Sequence, residues 1–305
     1  MPAFPQRAVI REVGLRDGLQ SIATILPTER KQEWIRAAHA AGQREIEVGS
    51  FVPARLLPQL ADTAELLAYA KTLPGLFASV LVPNLKGAER ALAAKADELN
   101  LVMSASQTHN RANMRMSCES SLTAFGDIVR HVKGAGVLLN ASVATAFGCP
   151  FEGTIDEDRV VGIVDTYREM GIEGITLADT TGMANPRQVA RLVERVLQRV
   201  PSSALTLHFH NTRGLGLANV LAAYEAGARR FDAALGGLGG CPFAPGATGN
   251  VVFEDLAFLC ESKGFKTGID IEKLVAVREI LKSEMPGEAL YGGLARAGLP
   301  RGKAA

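Results

Sequence analysis

A chain of 305 residues suits one large α/β domain as well as two smaller ones, because a barrel of alternating strands and helices commonly takes about 250 residues. With 47% hydrophobic and 6% aromatic residues it can bury an Ala-, Val- and Leu-rich core, and a formal charge of +1 argues against a nucleic-acid-binding face or an acidic tail. Four scattered cysteines, with no CxxC pair, argue against a disulfide scaffold and a zinc knuckle. The first residues lack the apolar run of a signal peptide, and nowhere do about 20 apolar residues follow one another, so a soluble cytoplasmic protein is expected.

In chain order, short β-branched apolar runs alternate with helix-patterned stretches eight times. Strands are expected near 8–14, 44–50, 76–82, 98–104, 137–143, 173–178, 204–210 and 230–235. Between the first two, "PTERKQEWIRAAHAAG" opens at Pro27 and stops at Gly42; "NPRQVARLVERVLQRVP" is bounded in the same way. Eight such units predict a closed (β/α)8 TIM barrel over about 8–265. An open doubly wound sheet is the alternative, but its GxGxxG turn after the first strand is missing. Extra C-terminal helices are expected over about 266–290 and a frayed tail over 291–305, all in a single domain 1–305.

Barrel active sites lie where strands end, so the polar residues there carry the information. The first strand runs into "REVGLRDG", where Arg16 and Asp17 share a loop; an RDG tripeptide is also an ordinary surface turn. Glu47 interrupts an apolar second strand, and Asp179 closes the sixth in "LADTTG", either as a helix cap or facing the pocket. His208 and His210, two apart on the seventh strand, point to the same face. They are two ligands of one ion or a hydrogen-bonded core pair. With Asp17 and Asn250 they make a thiol-poor donor set suited to Mg2+ or Mn2+, with Zn2+ or Co2+ as further options. Lys86, in "NLKG" after the third strand, opens a helix where a phosphate could be met, or is a solvated cap.

The ordered motifs "REVGLRDGLQ", "GSFV", "PNLKG", "GCPFEG", "LADTTG", "HFHNTRG" and "GGLGGCPFAPGATGN" resemble the 3-hydroxy-3-methylglutaryl-CoA lyase family of the DRE-TIM metallolyases, from about Val9 to Leu281. The resemblance implies a divalent metal held by Asp17, His208, His210 and Asn250, a catalytic arginine at Arg16, acidic site residues at Glu47 and Asp179, and a loop thiol at Cys241. It implies cleavage of a 3-hydroxyacyl-CoA to acetyl-CoA, or another acyl-CoA, and a keto acid, with Asp179 or a histidine as base and Cys241 relaying a proton to the enolate carbon from a closing loop. Coenzyme A enters as part of the substrate, with Lys86 and Gln20 as contacts, and the assembly implied is a homodimer or larger.

The sequence departs from the family at Ser21, Ile22 and Ala23, where its members carry polar and charged side chains, and at "SQTHNRANMRMSCESS", with both His109 and Arg111. Substrate choice is therefore left open between 3-hydroxy-3-methylglutaryl-CoA and a citramalyl or branched malyl thioester. The competing classes are an acetyl-CoA-dependent condensing synthase of the isopropylmalate or homocitrate type, and a silent CoA-binding protein.

Overall fold

The computed structural model describes residues 7–239 and 249–300. Among them eight parallel strands close in sequence order into a barrel: β1 (Val9–Glu12), β2 (Glu45–Ser50), β3 (Phe77–Leu81), β4 (Glu98–Ser104), β5 (Leu138–Ala144), β6 (Gly174–Asp179), β7 (Leu205–Phe209) and β8 (Arg230–Ala233). The helices that cover it are α1 (Thr28–Ala40), α2 (Thr63–Ala70), α3 (Leu85–Ala93), α4 (Gln107–Met114), α5 (Cys118–Val132), α6 (Glu157–Glu169), α7 (Pro186–Leu197), α8 (Gly216–Glu225) and α9 (Phe253–Ser262), followed by α10 (Ile271–Glu284) and the short α11 (Gly293–Ala297). The expected barrel is therefore present, and α11 lies where the sequence suggested only a tail.

Six of the helices start where a short polar side chain satisfies a free backbone N–H group. Asn84, Ser106, Ser117, Asp156, Asn185 and Asp270 all accept a hydrogen bond from the first turn of the helix they precede. Two strands end two residues earlier than the sequence implied. β1 stops at Glu12 because Gly14–Gly18 coil into one wide π-turn, with the Asp17 and Gly18 N–H groups both donating to the Val13 carbonyl. β8 stops at Ala233 because Leu235–Gly237 form a 3-10 turn.

The apolar core lies between strands and helices, with Trp34, Tyr167, Phe209, Phe231 and Phe253 fully buried. The inside of the barrel is polar instead. Arg11 on β1 reaches Glu98 on β4, and Asn100 on β4 reaches Glu47 on β2 and Asn140 on β5, so these alternate residues face inward. A cavity of about 740 Å3, bordered by Glu45, Glu98, Asn140, Arg168 and Arg230, opens at the N-terminal end, opposite the strand ends where barrel chemistry sits.

Candidate active site

The π-turn after β1 presents Arg16 and Asp17 side by side over the C-terminal mouth. Arg16 Nε donates to Glu47 Oε2 at 2.6 Å and Nη1 to Asp17 Oδ1 at 2.6 Å, so the guanidinium is clamped between two carboxylates. Gln20 Nε2 donates to the same Asp17 Oδ1 at 2.9 Å. Burial alone would raise the Asp17 pKa, but Arg16 and the two histidines outweigh it and hold Asp17 well below the usual carboxylate range.

His208 and His210 come from the end of β7, two residues apart as alternation requires. Their Nε2 atoms lie 3.1 Å from each other, and 3.9 and 3.7 Å from Asp17 Oδ2. One ligand atom from each of the three residues lies within 4.8 Å of the other two. Asn250, at the return of the glycine loop, donates through Nδ2 to Asp17 Oδ2 at 2.8 Å, while its buried Oδ1 has no partner among the described residues.

These residues fit a divalent cation. An oxygen-and-imidazole donor set converges, and Asn250 Oδ1 is left as a buried acceptor with no donor among the described residues. Charge points the same way. In the hydrogen-bonded cluster two guanidiniums, Arg11 and Arg16, meet four carboxylates, Asp17, Glu47, Glu98 and Asp232. The carboxylates outnumber the guanidiniums.

Asp179, at the end of β6, accepts from the Met183 and Ala184 N–H groups through Oδ1, at 2.7 and 3.1 Å, and its buried Oδ2 has no partner among the described residues. Burial pushes its pKa up to about 6, against the pull of those two N–H groups. It is thus a turn cap on one oxygen, with the other buried and without a partner among the described residues.

Glycines 237, 239 and 249 bring the two sides of the loop stem together. Gly239 has φ +107°, and a Cβ at Gly249 would lie 2.1 Å from the Gly239 carbonyl oxygen, so neither position admits a side chain. Cys241 lies outside the described residues, as does the part of the loop expected to close. Lys86 is exposed in the first turn of α3, apart from this hydrogen-bonded cluster. Of the departing trio, Ser21 and Ala23 are exposed and Ile22 is buried. His109 is buried over the end of β4, its Nδ1 at 2.6 Å from Ser104 Oγ. Sequence reasoning missed Arg11, Glu98, Asn100 and Asp232, the inward residues beneath the histidines; the signal was the alternation of Arg230 with Asp232 and of Val9 with Arg11 on paired strands.

The HMGL-like family profile matches residues 7–281. The chain belongs to the HMGL-like family. A hydroxymethylglutaryl-CoA lyase of Bacillus subtilis is 38% identical over 282 residues, covering 92% of this chain and 94% of that protein. An (R)-citramalyl-CoA lyase of Chloroflexus aurantiacus is 41% identical over 299 residues, 94% of each. A structure of an HMG-CoA lyase from Acinetobacter baumannii, in complex with coenzyme A and 3-methylmalate, superposes with a TM-score of 0.94 at 51% identity, covering 100% of this chain and 99% of that one. Like these relatives the chain is a carbon–carbon lyase, and their lyase names disfavour the condensing-synthase alternative. Among the described residues no helix is long and apolar enough to cross a membrane.

Proposed function

We propose that this HMGL-like protein cleaves a 3-hydroxyacyl-CoA by a retro-Claisen step at the Asp17, His208, His210 and Asn250 cluster. The carrying observation is the convergence of those donors beside the clamped Arg16. A divalent cation held there, Mg2+ or Mn2+ in this reading, supplies positive charge against the substrate hydroxyl and a neighbouring carboxylate or carbonyl oxygen. Asp179, with one oxygen anchored and the other open, takes the hydroxyl proton. The carbon–carbon bond then breaks, its electron pair passes into the thioester enolate, and the hydroxyl carbon becomes the carbonyl of the keto acid. Arg16 Nη2, which takes no part in the bonds to Glu47 and Asp17, faces the enolate oxygen. Cys241 returns a proton to the enolate carbon, giving acetyl-CoA or its homologue.

The acid is a 3-hydroxy-3-methylglutaryl, citramalyl or branched malyl group. The last two are supported by the 3-methylmalate held by the Acinetobacter baumannii structure and by the citramalyl-CoA lyase relative. They are also supported by the small residues Val102, Ser142 and Ala178, which share the inward face with Asn100, Asn140 and Thr176. Gln20 and Lys86 are proposed on the coenzyme A side. The family resemblance supports a homo-oligomer, which light scattering on eluted protein checks, and the buried free thiols of Cys118, Cys149 and Cys260 suit a reducing cytoplasm.

The test incubates purified protein and Mn2+ with 3-hydroxy-3-methylglutaryl-CoA, citramalyl-CoA and 3-methylmalyl-CoA separately. At least one should yield a keto acid and an acyl-CoA in equal amounts. Release from none of them overturns the reading.

A further inference from the structure

Beneath the two histidines the barrel holds a carboxylate that neither the motifs nor the proposed chemistry uses. Asp232 on β8 is paired in register with His208 on β7 and with Arg11 on β1, so three inward side chains meet at one level on adjacent strands. Asp232 Oδ2 lies 3.2 Å from His208 Nδ1. Arg11 grips the same carboxylate with two bonds, Nε to Oδ1 at 2.8 Å and Nη2 to Oδ2 at 3.0 Å, and is itself held across the barrel by Glu98 at 2.7 Å. All three partners of the carboxylate level are buried, Arg11 to 4% exposure and Asp232 to 3%.

We infer that Asp232, fastened by Arg11, is the positioning residue that fixes the Nδ1–H tautomer of His208 and turns its Nε2 lone pair toward the metal position. The inference rests on the metal-centre reading above. A carboxylate doubly bonded by a guanidinium has lone pairs and no proton to give, so the hydrogen between it and His208 belongs to the imidazole Nδ1. The other nitrogen, Nε2, is then a free donor to a cation, and the negative neighbour makes it a stronger one. His210 has no such support, because its buried Nδ1 has no partner among the described residues. His208 is therefore the pre-set ligand and His210 the one that adjusts. The same level continues through Arg11 Nη1 to Asn100 Oδ1 at 3.5 Å and from Asn100 to Glu47 at 2.6 Å, so it also reaches the residue that clamps Arg16.

The test strips the full-length protein of metal and titrates Mn2+ calorimetrically into wild type, Asp232→Asn and Asp17→Ala, with circular dichroism as the check on folding. Alongside it, ring-15N NMR of the metal-free wild type reads the His208 tautomer, assigned by the signal lost in His208→Gln. Asp232→Asn should fold and bind Mn2+ roughly 10- to 100-fold more weakly, and the wild-type spectrum should show the proton on Nδ1. A purely structural aspartate would lower the melting temperature and leave both readouts in place. A folded Asp232→Asn that binds Mn2+ within about twofold of a tight-binding wild type overturns this inference alone. If Asp232→Asn does not fold, the wild-type tautomer decides: Nδ1–H supports the inference and Nε2–H overturns it. A wild type that binds no Mn2+, or an Asp17→Ala variant that binds it as well as wild type, overturns the metal-centre reading and this inference with it.

Discussion

Asn250 Nδ2 donates to Asp17 Oδ2 at 2.8 Å across 233 positions of sequence, and also to the Leu238 carbonyl at 3.0 Å, so one amide joins the turn after β1 to both sides of the glycine-loop stem. Its Oδ1 is buried with no partner among the described residues. Asn250→Ala should therefore weaken Mn2+ binding by about 10-fold or more and lower turnover by roughly 100-fold. Asn250→Asp keeps an oxygen donor and should recover part of the binding. Calorimetry and steady-state rates on both variants check this.

Arg16 is held by Nε and Nη1, so its remaining nitrogen is set by the clamp. Arg16→Gln should lower kcat by about 100- to 1,000-fold, with KM changing much less, because the interaction lost belongs to the developing enolate oxygen. Arg16→Lys should not restore the rate, since an ammonium cannot span Glu47 and Asp17 as a fork. A KM effect with kcat intact would place Arg16 in ground-state binding instead.

Asp179 acts as a base only when ionised, and burial has pushed its pKa up to about 6. The rate at low substrate should consequently rise with pH through that value and flatten above it. Asp179→Asn should remove both the limb and most of the activity. A pH–rate profile of kcat/KM for the two proteins reads this directly.

Glu12, buried at the end of β1, accepts from the Gly14 and Leu235 N–H groups, and burial raises its pKa to about 8. A folded-state pKa above the unfolded value means that the unfolded chain loses this proton first. Stability from this group therefore falls as pH rises from about 4.5 toward 8 and stays low above it. Glu12→Gln removes that slope, so its unfolding free energy relative to wild type should climb between pH 5 and 8, by an amount on the order of a few kcal/mol. A constant difference across that range would contradict it.

All eight strands could be read from the sequence because buried parallel strands are apolar, β-branched and regularly spaced, as in "GITLAD" and "LTLHF". The strand ends were less legible: β1 gives way to a wide π-turn and β8 to a tight 3-10 turn, and neither leaves a mark beyond glycine. His208, His210 and Asp17 could be placed because HxH at a strand end and an acid after the first strand have few other uses together. Arg11 and Asp232 could not, since a charged residue on a short strand looks solvent-facing until a partner across the barrel is known. Gln20, expected near coenzyme A, donates to Asp17. For Lys86 the structure shows an exposed side chain on a capped helix, as either reading of "NLKG" would give.

The most direct test of metal-assisted cleavage at this cluster follows keto-acid formation by metal-stripped protein as Mn2+ is added, using whichever thioester of the three is turned over. The account predicts no product before addition, equal amounts of keto acid and acyl-CoA after it, and a rate that saturates at about one Mn2+ per chain. Undiminished product formation by the stripped protein, or none from any thioester with Mn2+ bound, would contradict it.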